Sequence, residues 1–269
     1  MSNKLCLTCE KTFEKTGNNF ISKSGVNIPL WFKEIGNYSL LPPPINNNRL
    51  LNPFVSKLVE FHPNNFTINI KVDLHDLIPN LKKYNSRWIY YWAAEKRNYK
   101  NTDYLYAPIA YGDFSNSGLV KSDKDGKFNL RVENPMLYYV GDNAYPPHIH
   151  FTYLNKDNTW NTDSFAIIVT PEVNTNTFNK LLKSNKYLAI NADPESNSIP
   201  GTYNIPYNTT KELDVLIENL VVNNPNFHKF HKLYETPLII YSNKNDISQR
   251  LVKKLRNKGY INVIIHKRE

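Results

Sequence analysis

Between residues 61 and 172 apolar and polar positions alternate with the period of a strand, and no helical period interrupts them. Phe66-Thr-Ile-Asn-Ile-Lys-Val72 predicts a strand with one buried face, and Arg87-Trp-Ile-Tyr-Tyr-Trp-Ala93 a more deeply buried one. Leu119-Val-Lys-Ser122 and Lys127-Phe-Asn-Leu-Arg-Val132 flank Asp123-Lys-Asp-Gly126, a turn signal, so the pattern predicts a hairpin there. His148 to Leu154 and Ser164 to Val169 supply two further strands. Short strands separated by turns predict an antiparallel β-sandwich over 61–172. Ahead of it, Pro42-Pro-Pro44 and Asn46-Asn-Asn48 forbid a continuous helix, so residues 1–60 read as an irregular N-terminal arm that wraps the following domain.

After Thr170 the period changes. Thr177 to Leu182 predicts a short helix, Tyr187-Leu-Ala-Ile-Asn191 a buried strand, and Lys211 to Val222 carries apolar residues at helical spacing. Thr236-Pro-Leu-Ile-Ile-Tyr241 is a second buried strand, Ser248 to Lys258 an amphipathic helix closed by Gly259, and Ile261-Asn-Val-Ile-Ile265 a third strand. Strand and helix in alternation predict a separate small α/β domain with a parallel sheet over 178–269. No internal repeat joins the two halves.

Composition narrows the classes. A chain of 269 residues with 41% hydrophobic content can build real cores, so disorder is not the default. The net charge of +9 comes from Lys and Arg spread along the whole chain, with no basic arm, paired zinc motif or aromatic RNA platform, so nucleic-acid binding has no specific support. No apolar run approaches the roughly 20 residues that cross a bilayer, and no signal-peptide core follows Met1, which predicts a soluble intracellular protein. Cys6 and Cys9 have the spacing of half a zinc knuckle, but no second pair of ligands lies nearby in sequence.

The stretch with candidate chemistry is Tyr145-Pro-Pro-His148-Ile-His150-Phe151. On a strand His148 and His150 point to one face while Ile149 and Phe151 enter the opposite, apolar side. Two imidazoles on one face are half of a metal site, or two hydrogen-bonded histidines and nothing more.

The segment from Trp92 through Phe151 resembles the intradiol ring-cleaving dioxygenases, the catechol and protocatechuate dioxygenases built on a β-sandwich. Tyr99, Tyr106-Ala-Pro108, Gly118, Ser122-Asp-Lys-Asp-Gly126, Pro135 and Tyr138 fall in that family's order, and Pro146-Pro-His-Ile-His-Phe151 matches its most recognisable element. The resemblance implies a non-haem Fe(III) held by Tyr99, Tyr138, His148 and His150, with Tyr99 equatorial and Tyr138 the displaceable axial ligand; Tyr139 is adjacent to it. It implies a small aromatic diol as substrate, opened by dioxygen between its two hydroxyl-bearing carbons. Fe(III) is hard and highly charged, and it favours phenolate over a phenol whose free pKa is near ~10. Two phenolates offset most of that charge, and two neutral imidazoles leave a position open.

Three departures accompany the resemblance. The loop from Tyr138 to His148 is shorter than the family's, which predicts an axial tyrosine that falls short of the metal. Tyr145 stands where the family places an arginine beside the substrate, and a phenol supplies no fixed charge to an anionic intermediate. The acidic, glycine-containing entrance motif of the family is absent.

The C-terminal half resembles a rhodanese-like domain. Tyr187 to Asp193, Ile199-Pro-Gly-Thr-Tyr-Asn-Ile-Pro206 and Thr236 to Val263 carry the resemblance. Sulfur transfer needs a low-pKa cysteine ahead of a helix N-terminus, and the matching position is Ser242. This predicts no sulfurtransferase activity and a docking or oligomerisation role instead. Two function classes follow for the whole chain: an iron-dependent dioxygenase acting on a catechol-like diol, or a non-enzymatic metal-binding or structural protein that reuses both folds.

Overall fold

The computed structural model describes residues 14–16, 19–24, 58–74, 86–95, 105–106, 110–111, 114–140, 143–156, 164–193, 195, 199–209, 212–227 and 233–267. They divide into two compact units that meet in the chain between Val169 and Thr170. This division comes earlier than the expected start of the second domain near 178.

Among the described residues the first unit is antiparallel except at one short pair. Its largest sheet has six strands in the order β1 (Glu14–Thr16), β2 (Asn19–Ser24), β11 (Ser164–Ile168), β10 (His148–Tyr153), β4 (Trp88–Ala93) and β6 (Ser117–Lys121). A second sheet pairs β3 (Ile68–Asp73) with β7 (Lys127–Val132). One core lies between them: Ile68 and Val72 of β3 and Phe128, Leu130 and Val132 of β7 face Ile89, Tyr91, Ile149, Phe151, Phe165 and Ile167 of the larger sheet. A third sheet is built from β5 (Leu105–Tyr106), β8 (Tyr138–Val140) and β9 (Asn143–Tyr145), β5 running parallel to β8.

Two expectations are corrected here. Asp123-Lys-Asp-Gly126 does not close a hairpin, because β6 pairs with β4 while β7 pairs with β3, so the turn carries the chain from one sheet to the other. Asp123 Oδ1 fixes the corner by accepting from the Asp125 and Lys127 amides at 2.9 and 2.8 Å, and Gly126 takes the left-handed conformation with φ 78°. The strands then separate because the apolar face of each completes the same core from opposite sides. The N-terminal residues are also not wholly irregular: β2 pairs with the edge of β11 and β1 with β2. Backbone groups along a sheet edge need partners, and β2 supplies them to β11.

Gly118 has a packing reason. It lies opposite Tyr91 in the β4–β6 ladder, and a Cβ there would collide with the Tyr91 hydroxyl and Cζ. The tyrosine ring occupies the space above the glycine, a cross-strand aromatic–glycine pair.

The second unit is a five-stranded parallel sheet in the order β12 (Glu172–Val173), β16 (Val263–His266), β15 (Leu238–Tyr241), β13 (Leu188–Asn191) and β14 (Tyr203–Asn204). Strands buried on both faces read as continuous apolar runs, and Leu238 to Tyr241 and Val263 to His266 are buried throughout. Helix α1 (Thr175–Ser184) packs Phe178 and Leu181 on one face, against Ala189, Ile239, Tyr241 and Ile264. Helices α2 (Leu213–Val222) and α3 (Asn245–Lys258) pack Ile217, Leu251 and Leu255 on the other, against Leu188, Ile190, Ile240 and Val263. Asn174 caps α1 by accepting from the Thr177 amide at 2.9 Å, and Gly259 ends α3 with φ 98°. Among the described residues no helix is long and apolar enough to cross a membrane.

Candidate metal centre

β10 builds the site by alternation. Ile149 and Phe151 enter the core between the sheets, which turns His148 and His150 to the opposite face, where both are buried. Directly across the ladder from His150 stands Trp92 of β4, and the two rings stack at 5.3 Å with 18° between their planes. β8 and β9 bring in Tyr138 and Tyr145, which are register partners with ring centroids 5.9 Å apart.

The polar atoms converge. His148 Nε2 lies 2.9 Å from His150 Nε2 and 3.0 Å from the Tyr138 hydroxyl. His148 Nδ1 is 2.6 Å from the Pro146 carbonyl, which can only accept, so Nδ1 carries the proton and Nε2 presents its lone pair to the cluster. A fourth group was not expected from the sequence: the Tyr111 hydroxyl is 2.9 Å from that of Tyr138. Burial, with a smaller contribution from neighbouring His148, holds the His150 pKa well below the ordinary imidazole value, so His150 is neutral near pH 7. Neutral imidazole is the form that binds metals.

These donors fit a metal ion in spacing. Two ligands at right angles, each ~2.1 Å from an ion, are ~3.0 Å apart, which matches the separations of His148 Nε2 from both His150 and Tyr138. The loop from Tyr138 to His148, short as it is, lets the tyrosine reach the histidines, contrary to expectation. One feature departs from the usual ligand environment: a metal-bound imidazole generally donates its second N–H to a partner, and His150 Nδ1 is buried without one among the described residues. Groups of three or more His, Cys, Asp and Glu able to hold a metal are absent from the described residues, so a centre here depends on tyrosine.

The other sequence candidates are placed as follows. Tyr145 is buried, 1% exposed, and packs against Tyr138. Tyr99, Cys6 and Cys9 lie outside the described residues. Ser242 is buried at the end of β15, where it accepts from the Lys244 amide and the Ser248 hydroxyl, both at 3.0 Å, and donates to the Lys244 carbonyl. Sequence reasoning missed Tyr111 as a site residue and Trp92 as the ring stacked on His150.

No family model and no curated protein matches the chain. Among solved structures, it is similar to two of EanB. One is a persulfide-bearing variant in a tetrahedral intermediate state with ergothioneine, 18% identical, with 35% of this chain and 24% of that chain covered at a TM-score of 0.27. The other is a variant in complex with hercynine, 18% identical, with 36% and 24% covered at a TM-score of 0.28. The matched region spans about a quarter of the EanB chains. Similarity at this level assigns this chain neither a fold nor an activity.

Proposed function

We propose that the antiparallel unit is an intradiol-dioxygenase-like sandwich whose ferric centre cleaves a catechol-like aromatic diol, and that the parallel unit is a rhodanese-like docking module without sulfur transfer. The observation that carries the first half is that the Tyr138 hydroxyl and His150 Nε2 each lie within ligand-to-ligand distance of His148 Nε2. When bound, Fe(III) supplies the Lewis acidity that binds the diol as its dianion and activates the ring toward dioxygen. The chain's own residues do the rest. His148 and His150 offer neutral nitrogen donors, with His148 locked in the required tautomer by Pro146. Tyr138 offers an anionic oxygen, and Tyr99, carried by the resemblance alone, would supply a second. Trp92 and Tyr111 wall His150 with aromatic rings.

The alternative, a binding scaffold without turnover, is favoured by Tyr145. A buried aromatic ring occupies the position of the family's arginine, so an anionic intermediate loses a partner worth a few kcal/mol in a dry site. Metal content and visible spectrum test the reading first. Protein from iron-replete medium should hold about one iron per chain and absorb broadly in the visible through tyrosinate-to-iron charge transfer, and His148→Ala or His150→Ala should abolish both. Colourless wild-type protein with little iron sinks the dioxygenase reading. If iron and catechol bind, yet neither the wild type nor Tyr145→Arg opens any catechol of a panel to a muconate-type acid, the scaffold reading stands.

A further inference from the structure

Tyr138 joins His148 to Tyr111 through its hydroxyl oxygen. His148 Nδ1 gives its proton to the Pro146 carbonyl, so Nε2 is an acceptor with one lone pair, reached by the Tyr138 hydroxyl at 3.0 Å and by His150 Nε2 at 2.9 Å. A phenol has one proton. When that of Tyr138 goes to His148 Nε2, the Tyr138 oxygen accepts from the Tyr111 hydroxyl at 2.9 Å.

We propose that Tyr111 is a positioning residue, its hydroxyl holding the Tyr138 oxygen at ligand distance from His148 Nε2; its purpose at a metal rests on the ferric reading above. Tyr111 is itself held on several sides. The Ala110 carbonyl before it accepts from the Glu95 amide at 2.7 Å, and its own carbonyl accepts from the Phe114 amide at 2.9 Å. Phe114 adopts φ 63°, a left-handed conformation that a bulky residue rarely takes, and its ring stacks on Tyr111 at 5.8 Å. Tyr111 is 3% exposed, and its ring centroid is 5.4 Å from that of Tyr138 and 6.1 Å from that of His150. Asn116 fastens the neighbouring segments, donating to the Ala94 carbonyl at 2.7 Å and accepting from the Glu133 amide at 2.8 Å. A donor in this place does for Tyr138 what an outer-shell partner does for a metal-bound histidine: it fixes orientation and steadies charge on the ligating atom.

Tyr111→Phe removes the hydroxyl and keeps the ring, and Tyr90→Phe, which deletes another buried hydroxyl of the same unit, is the control. In the iron-loaded protein Tyr111→Phe should move the charge-transfer band to longer wavelength, because a phenolate that loses a donor gives up its electron more easily. Iron affinity should fall roughly 10- to 100-fold, the usual cost of losing an outer-shell partner. Tyr90→Phe should change neither. An unmoved band with wild-type affinity in Tyr111→Phe overturns the proposal. A metal-free readout separates this outcome from failure of the ferric reading. In protein stripped of metal, the imidazole nitrogen spectrum should show Nε2 of His148 shifting toward an unbonded acceptor in Tyr111→Phe, since the Tyr138 donor is no longer polarised and held. A wild type that takes up no iron, together with that shift, would retire the ferric reading and keep the positioning role. The absence of the shift would retire the positioning role itself.

Discussion

In the antiparallel unit, Tyr138, His148 and His150 turn their polar atoms toward one another, and a nitrogen of His150 is left without a partner among the described residues. In the parallel unit the buried Ser242 uses its whole hydrogen-bonding capacity internally: one proton given to Lys244, two lone pairs filled by Lys244 and Ser248. Asn191, which pairs with Tyr241 across the ladder, and Asp193 accept from the Asp193 and Glu195 amides at 3.1 and 3.0 Å. Both units bury polar groups next to strands, and both leave buried side-chain atoms without partners among the described residues, Thr236 Oγ1 and the Tyr260 hydroxyl in the parallel unit included; what sets the first apart is that the nitrogens and the phenol oxygen of its site converge. Buried polarity is therefore not by itself the mark of a site. Convergence of donor atoms is.

The largest test of this contrast attacks the support behind the histidines. Phe151 follows His150 on β10 and enters the core on the opposite face, fully buried and stacked on Phe165 at 5.1 Å. Phe151→Ala should cost about 3–5 kcal/mol in urea unfolding. It should also loosen the site, because the alternation that aims His150 depends on Phe151 being anchored on the other face. A variant as stable as the wild type would mean that the core between the sheets is not what orients β10.

Gly118→Ala should cost about 1–3 kcal/mol, since the added methyl must displace the buried Tyr91 ring. Shrinking the ring in the same background, with Tyr91→Val, should recover part of that loss, so that the two changes together cost less than their sum. Simple additivity in the unfolding midpoints would show that the glycine is there for another reason.

The histidine pair also predicts a pH dependence with a definite sign. His150 is neutral when folded because its pKa is lowered by burial and by His148. Unfolded, it binds a proton near its ordinary pKa of about 6.5, so the unfolded state gains protons first and stability falls as pH drops below that value. The loss should be at most about 1.4 kcal/mol per pH unit for one proton and should level off below the depressed folded pKa. Metal-free protein unfolded by urea between about pH 7.5 and about pH 5.5 measures it, and His150→Gln should remove the corresponding slope. An unchanged slope would place the acid sensitivity elsewhere.

How much of this was legible beforehand follows from which signals are local. The pairing of His148 and His150 on one face is a property of any strand, and the apolar Ile149 and Phe151 identify the strand. The end of α3 at Gly259 is equally local. Trp92 reaches His150 through a ladder whose register nothing near either residue specifies. Tyr111 is harder still: it sits outside any periodic segment, and the left-handed Phe114 that shapes its turn has no preferred sequence signal, since Gly or Asn is expected there. The corner at Asp123 to Gly126 shows a related limit. Its residues signal that the chain turns, but the sheet that the next strand joins is decided by which exposed apolar face still needs covering.

The smallest expected effect on the site comes from the other unit. Ser242→Ala leaves the Ser248 hydroxyl and the Lys244 amide each short of a partner, which should destabilise the protein by about 1 kcal/mol. It should leave iron content, the visible band and any ring opening unchanged, because a serine with all its hydrogen bonds committed has none to spare for substrate. Wild type and variant alike should transfer no sulfur from thiosulfate to cyanide, since no thiol stands at this position to carry a persulfide. A selective loss of any catalytic activity in Ser242→Ala, at a stability within about 1 kcal/mol of wild type, would show that the serine leaves its network to act. The parallel unit would then be the reactive one, and the contrast between Ser242, with its bonds committed, and the convergent donors of the antiparallel unit would fail.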